Sequence, residues 1–347
     1  MMRRAFGLVL YWAGCGLLAL CCAVRSDAQT PPTEFRPLRA EIEQFISYMV
    51  RTHGFAAPQL RAWFTQTQPN PGVVRAISAP ATSKPWYEFK PLFVDGSRIS
   101  GGVAFWNDNA VVLSRAANEF GVPEGIIVAL IGIETRYGKR TGSYRVMDAL
   151  TTLAFGWPAR GEYFRSELEE FLLLAREQRW NPMSVRGSFA GAMGLPQFMP
   201  GSYRRYAIDY DRDGQIDLWA SPADVIGSVA GYLRYSGWKA GQPVAAPARI
   251  DGVDPRPLLD LGLRPSLNVG EWRSRGATSL TPVNPDLTAC LFSLDLLDGP
   301  EFWFGFDNFY ALLQYNRSRN YAMAIVELAR EIASERERLA AGVAREQ

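Results

Sequence analysis

Val122-Pro123-Glu124-Gly125-Ile126-Ile127-Val128-Ala129-Leu130-Ile131-Gly132-Ile133-Glu134-Thr135-Arg136-Tyr137-Gly138 is the stretch that decides how this chain of 347 residues folds. Pro123 suits a first helical turn and Gly138 a C-terminal cap, so the spacing predicts a helix between them. It is apolar on every face, and a helix without a polar side belongs inside a core. Glu134 falls in its last turn. Two effects there disfavour a charged carboxylate, desolvation by apolar neighbours and the negative end of the helix dipole, and both raise its pKa. Such a group is a candidate general acid. A buried glutamate held by an arginine or tyrosine for structural reasons explains the segment equally well.

Outward from this helix, apolar residues recur at helical spacing over 38–51, where Ile42, Phe45, Ile46 and Met49 share a face, and again over 111–120, 162–178 and 224–235. Between Gly237 and Pro300 the texture changes to scattered Pro and Gly with short apolar runs such as 289–294, the mark of a small β-rich lobe. Helix resumes near Phe306 and continues through a terminal segment from Tyr321 that grows charged over 331–338, as a solvated helix end does. No internal repeat or low-complexity linker interrupts the chain. The expected fold class is mainly α (α+β), with a helical core over 29–236, a β-rich lobe over 237–302 and a helical return over 303–347.

Residues 1–28 have a different character. Met1-Met2-Arg3-Arg4 is a short basic start, 5–24 is an apolar run, and a small-x-small cleavage site ends at Ala28, the order of a signal peptide. The expectation is export to the periplasm by a cleaved signal peptide; the rival is an outer-membrane lipoprotein anchored at Cys15. Cleavage would remove Cys15, Cys21 and Cys22, leaving Cys290 without a disulfide partner, most simply as a small buried apolar residue. The full chain carries a formal charge of +2, and losing Arg3, Arg4, Arg25 and Asp27 brings it to neutrality, which argues against a nucleic-acid partner. With His53 the only histidine, multi-histidine zinc sites are excluded, and its place before Gly54 suits a helix end or the surface.

Three further segments carry polar chemistry. Residues 188–203 are rich in small side chains that admit close approach, and Ser188 and Gln197 are the polar members; both could equally serve local backbone groups. Asp209-x-Asp211-x-Asp213-Gly214-Gln215-Ile216-Asp217 matches the first nine positions of an EF-hand calcium loop. Ala220 stands where the bidentate glutamate belongs and the next carboxylate is Asp224, which also suits a capping box begun by Ser221, so the loop over 209–224 would be longer than standard. A metal-free acidic turn is the alternative. Tyr315-Asn316 with Tyr321 sets tyrosines beside amides, a mix that stacks on sugars but that a packed core also explains.

Together, Gly132-Ile133-Glu134-Thr135-Arg136-Tyr137-Gly138, the 188–200 segment, the acidic loop and Tyr315-Asn316 with Tyr321 resemble the lytic transglycosylase B family, murein-cleaving enzymes of glycoside hydrolase family 103. The resemblance implies a lysozyme-like helical core with an accessory helical region and a small β lobe around a long groove. It implies Glu134 as the catalytic residue, with Tyr87, Ser188, Gln197, Tyr232, Tyr315, Asn316 and Tyr321 binding glycan. It implies a structural calcium held by Asp209, Asp211, Asp213, Gln215 through its backbone, and Asp224, although one more residue precedes Asp224 than the pattern has. No organic cofactor is implied. The expected activity is non-hydrolytic cleavage of the MurNAc-β-1,4-GlcNAc bond to leave 1,6-anhydro ends, by a monomer acting on peptidoglycan strands, with proteins of a wall-synthesis complex as further partners. A muramidase hydrolysing the same bond, or a non-catalytic wall-binding protein, are the alternatives.

Overall fold

The computed structural model describes residues 39–78 and 84–346; the signal-peptide reading, with Cys15, lies outside them. At its centre is the helix Glu124–Thr135, in which every residue from Gly125 to Ile133, and Thr135, is buried. The helices Gly96–Asp108, Ala110–Phe120, Pro222–Tyr235 and the first half of Arg319–Glu346 pack around it. A helix that is apolar all round can be satisfied only by such a complete jacket. Helices Arg39–His53, Val146–Gly156 and Gly161–Glu177 extend the core on one side, the last burying Phe164, Leu168 and Phe171. No single helix among the described residues is long and apolar enough to cross a membrane.

Strands β1 (Tyr144–Arg145) and β2 (Arg186–Gly187) form a two-residue antiparallel pair. The lobe expected beyond Gly237 is a five-stranded antiparallel sheet of β3 (Ala245–Ile250), β4 (Leu267–Asn268), β5 (Ala277–Ser279), β6 (Thr288–Leu296) and β7 (Gly299–Gly305), in the order β4-β6-β7-β3-β5. Its alternation explains how it joins the body. Cys290, Phe292, Leu294 and Trp303 face the main core, whereas Leu291 and Phe304 face a second core with Val269 and Trp272. Cys290 is a buried free thiol. The strand β7 runs on to Gly305, and the next helix, Asp307–Tyr315, starts immediately after Phe306.

The central helix ends earlier than its sequence suggests. Gly138 is not the cap; Arg136, at φ +51°, takes that place, and Tyr137 (+59°) and Gly138 (+87°) continue in the left-handed region. Non-glycine residues adopt this conformation only at a cost of about 1–2 kcal/mol each, so tertiary contacts must hold it. Tyr137 supplies them. Its hydroxyl donates to the Arg98 carbonyl at 2.8 Å, and its ring lies over Gly101, Gly102 and Gly132. A Cβ at Gly132 would come within 2.3 Å of the Tyr137 hydroxyl oxygen. Gly132→Ala should therefore destabilise the fold by about 1–3 kcal/mol, measured by denaturant unfolding; wild-type stability in that variant would show that Tyr137 does not hold the turn.

Candidate active site

Glu134 lies half-buried in the last turn of the central helix, and the Tyr321 hydroxyl, from the first turn of the helix Arg319–Glu346, donates to its Oε1. Desolvation pushes the Glu134 carboxyl up to about 7, against the hydrogen bond from Tyr321, which favours the charged form. The helix-dipole contribution expected from the sequence meets opposition. Buried Arg98 donates through Nε to the Gly132 carbonyl at 3.2 Å, placing a guanidinium at the helix's negative end. Asp95 in turn pairs with Arg98 at 2.6 Å and Arg136 at 3.3 Å. Burial also raises Tyr321 well above the usual phenol range, with negative charge on Glu134 adding to the effect, so it remains a donor.

The other residues expected at the site divide into three groups. Tyr232, Tyr315 and Asn316 are almost wholly buried behind Tyr321. The Tyr232 and Tyr315 rings meet at 5.0 Å, edge to face; the Tyr232 hydroxyl donates to the Gln314 carbonyl at 2.8 Å and that of Tyr315 to the Pro196 carbonyl. The Asn316 side-chain oxygen accepts from the Ser318 N–H at 3.2 Å, and Ser318 Oγ caps the following helix at the Tyr321 N–H. Their burial matches the packed-core alternative that the sequence left open beside sugar stacking.

Ser188 and Gln197 lie in a turn-rich segment with backbone work of their own. Ser188 Oγ accepts from the Ala190 and Ala192 N–H groups. Gln197, left-handed at φ +52°, donates through Nε2 to the carbonyls of Thr141 at 3.1 Å and Gly194 at 2.9 Å. Tyr87 is 40% exposed on the helix Trp86–Phe93, whose approach is joined to the Tyr321 helix by the Asn320 side chain donating to the Lys84 carbonyl at 3.0 Å. Sequence reading missed Thr135, fully buried next to Glu134. Its hydroxyl donates to the Leu195 carbonyl at 3.0 Å and accepts from the Gly138 N–H at 3.1 Å. Two hydroxyls, those of Thr135 and Tyr315, thus hold the consecutive carbonyls of Leu195 and Pro196, and with them the backbone that presents Gln197. A threonine in an apolar helix end was the available signal.

In the acidic loop, the ligand atoms of Asp209, Asp211 and Asp213 all lie within 4.8 Å of one another. The N–H groups of Asp213 and Gly214 donate to Asp209, and that of Gln215 to Asp213 Oδ1, so the turn gathers its carboxylates around a point. Three hard oxygen donors in this arrangement fit calcium. Asp224 is placed differently from its neighbours. It is buried, and its oxygens accept from the Tyr210 N–H at 2.7 Å and the Asp217 N–H at 2.8 Å, bracing both ends of the loop, while its own N–H is capped by Ser221.

The raised pKa of Glu134 carries a sign. Between about 4.5 and 7 the folded state keeps a proton that the unfolded chain has released, so this group's contribution to stability is full below 4.5 and declines as pH rises through 7. Glu134→Gln, which cannot ionise, should gain in melting temperature relative to wild type from pH 4.5 to 7 and hold that gain above; parallel melting profiles across the range would contradict the buried-acid assignment.

Comparison with known proteins agrees with this geometry. The family described as "Transglycosylase SLT domain" matches residues 37–330. "Membrane-bound lytic murein transglycosylase B" of Escherichia coli (strain K12) is 41% identical over 301 residues, 84% of this chain and 82% of that protein. The crystal structure of soluble lytic transglycosylase SltB1 from Pseudomonas aeruginosa is similar with a TM-score of 0.80 and 48% identity, covering 86% of this chain and 99% of that one. The structure of Escherichia coli lytic transglycosylase Slt35 in complex with calcium is similar with a TM-score of 0.78 and 40% identity, over 85% of this chain and 93% of that one. A match over so much of the chain, joined to a buried acid on a buried helix, places it: this chain belongs to the transglycosylase SLT domain family.

Proposed function

We propose that this chain is a lytic murein transglycosylase in which Glu134 is the single general acid and base. The observation that carries this reading is a carboxyl in the last turn of a buried helix, pushed up to about 7 by burial, with Tyr321 as its hydrogen-bond partner. Ordinary glycosidases need two carboxylates, one to protonate the leaving oxygen and one to supply or activate a nucleophile. A muramidase on this site would need a second carboxylate or a positioned water near Glu134.

With the Tyr321 hydroxyl on Oε1, the Glu134 proton is carried by Oε2. It passes to the oxygen linking N-acetylmuramic acid to N-acetylglucosamine as the bond to C1 breaks. The muramyl ring gains oxocarbenium character, which its own acetamido oxygen stabilises. Glu134, now charged and relieved by the Tyr321 hydrogen bond, takes the proton of the C6 hydroxyl while that oxygen bonds to C1. A 1,6-anhydro ring results and the acid is regenerated. The tethered C6 hydroxyl outcompetes water because its entropy of approach is already spent. Ser188, Gln197, Tyr232, Tyr315, Asn316, Tyr321 and Tyr87 are proposed to bind or shape the place of the glycan around this centre. The periplasm, where murein lies, is the compartment that suits this activity.

For the acidic loop we propose calcium in a structural role, held by Asp209, Asp211, Asp213 and the Gln215 backbone, with Asp224 bracing the loop and offering its remaining lone pairs. The ion would bind their converging charges and fix the loop that leads to Leu218, whose carbonyl accepts from the Leu195 N–H at 2.8 Å.

Two experiments test these readings. Mass spectrometry of the muropeptides released from purified peptidoglycan should show anhydro ends, and Glu134→Gln should release them at least about a hundredfold more slowly; reducing ends would make the protein a hydrolase, and undiminished cleavage by the variant would remove Glu134 from the mechanism. For calcium, saturating ion at 100 times its dissociation constant should stabilise the fold by about 2.7 kcal/mol. That gain should vanish in Asp211→Asn, and a melting temperature indifferent to calcium and chelator would overturn the site.

A further inference from the structure

A cavity of about 780 Å³, sharing no lining residue with the Glu134 cluster, opens between the end of the helix Gly161–Glu177, strand β2 and the far side of the acidic loop. Trp180 and Trp219, edge to face at 5.5 Å, form part of its wall. Its charges are unevenly matched. Glu177 is paired with Arg204 at 2.6 Å, and Asp217 Oδ1 accepts the N–H groups of Trp219 and Ala220. Arg179 and Arg186, both exposed there, enter no ion pair among the described residues; Arg186 donates only to the Ser143 carbonyl at 3.1 Å. The lining carboxylates are thus already engaged, while two guanidiniums at the same cavity have no carboxylate partner and could receive one from a ligand.

The backbone adds an independent sign. Arg179 occupies the position just beyond the helix where the chain turns left-handed, at φ +57°, with its N–H on the Arg176 carbonyl and the Trp180 N–H on the Ala175 carbonyl. That pair of bonds defines a Schellman cap, whose left-handed residue is normally glycine. An arginine kept where glycine is favoured, with its side chain at a cavity and no partner, is a local strain of the kind that function retains.

We propose that this cavity is a second binding site that takes a carboxylate of the murein strand, received by the guanidiniums of Arg179 and Arg186 beside the two indoles. Arg186 lies two residues before Ser188, one of the residues proposed above to bind the glycan. The carboxylate could belong to a peptide stem or to the lactyl group of the muramyl sugar. This inference rests on the murein reading of the active site.

The test is calorimetric titration of the full chain carrying Glu134→Gln, as parent, and of the same chain with Arg179→Gly or Arg186→Ala added. The probes are a GlcNAc–MurNAc disaccharide bearing a tetrapeptide and the same disaccharide without it. Each added variant should bind the peptide-bearing probe about tenfold more weakly, and Arg179→Gly should melt no lower than its parent, since it relieves the left-handed turn. Weakening confined to the peptide-bearing probe assigns the stem carboxylate; equal weakening for both assigns the lactyl group. Unchanged affinity of both variants for the peptide-bearing probe would overturn the cavity alone, whereas a parent that binds neither probe would overturn the murein reading and this site with it.

Discussion

The contact on which the rest of this structure depends is that between the Glu134 carboxyl and the Tyr321 hydroxyl. A carboxyl at the end of an apolar helix is costly to ionise, and the same burial makes it a usable acid near neutral pH. Burial alone would strand the carboxylate once its proton has gone. One phenol hydrogen bond resolves this, since it moderates the charged form without supplying a full countercharge that would pull the pKa back to the ordinary range. Arg98, whose guanidinium lies at this helix end, is turned to the Gly132 carbonyl and to Asp95, and Arg136 also pairs with Asp95.

Holding two side chains 187 residues apart in register requires a stiff frame, and hydroxyl-to-carbonyl bonds supply much of it. Thr135 and Tyr315 grip neighbouring carbonyls of one segment, and Tyr232 ties back to Gln314 beside Tyr315. Buried polar groups that are fully paired specify one arrangement, because any shift would leave an unsatisfied donor in an apolar surrounding. The same segment is bound on its other side to Leu218, within the acidic loop. Leu195 therefore links that loop to the central helix, through its N–H to the Leu218 carbonyl and its own carbonyl to the Thr135 hydroxyl.

Much of this was legible in the residues. The uniformly apolar run announced a buried helix, and the carboxylate in its last turn a buried acid; the structure keeps both. The alternating carboxylates of 209–217 signalled a turn that gathers oxygen ligands, since their spacing is itself the geometry. The change of texture after Gly237 marked a sheet. Less legible were the groups that act through a third party. The left-handed run at Arg136 and Tyr137 depends on Gly132 and on Gly101 and Gly102 of another helix, 36 and 35 residues before the tyrosine they accommodate. Tyr232 and Tyr315 offer the composition of a sugar platform, yet their burial is set by the packing of three helices.

By itself, then, the sequence determined which segments would be buried and which of them would carry a carboxyl into that burial, because periodicity and local desolvation act within a single element. Only the tertiary structure decided which partner the acid would have, where the helix dipole would be opposed, and that Asp224 would brace its loop from beneath. Those outcomes depend on distances between elements far apart along the chain, such as Glu134 and Tyr321, and distances of that kind are set by the packing of the whole core.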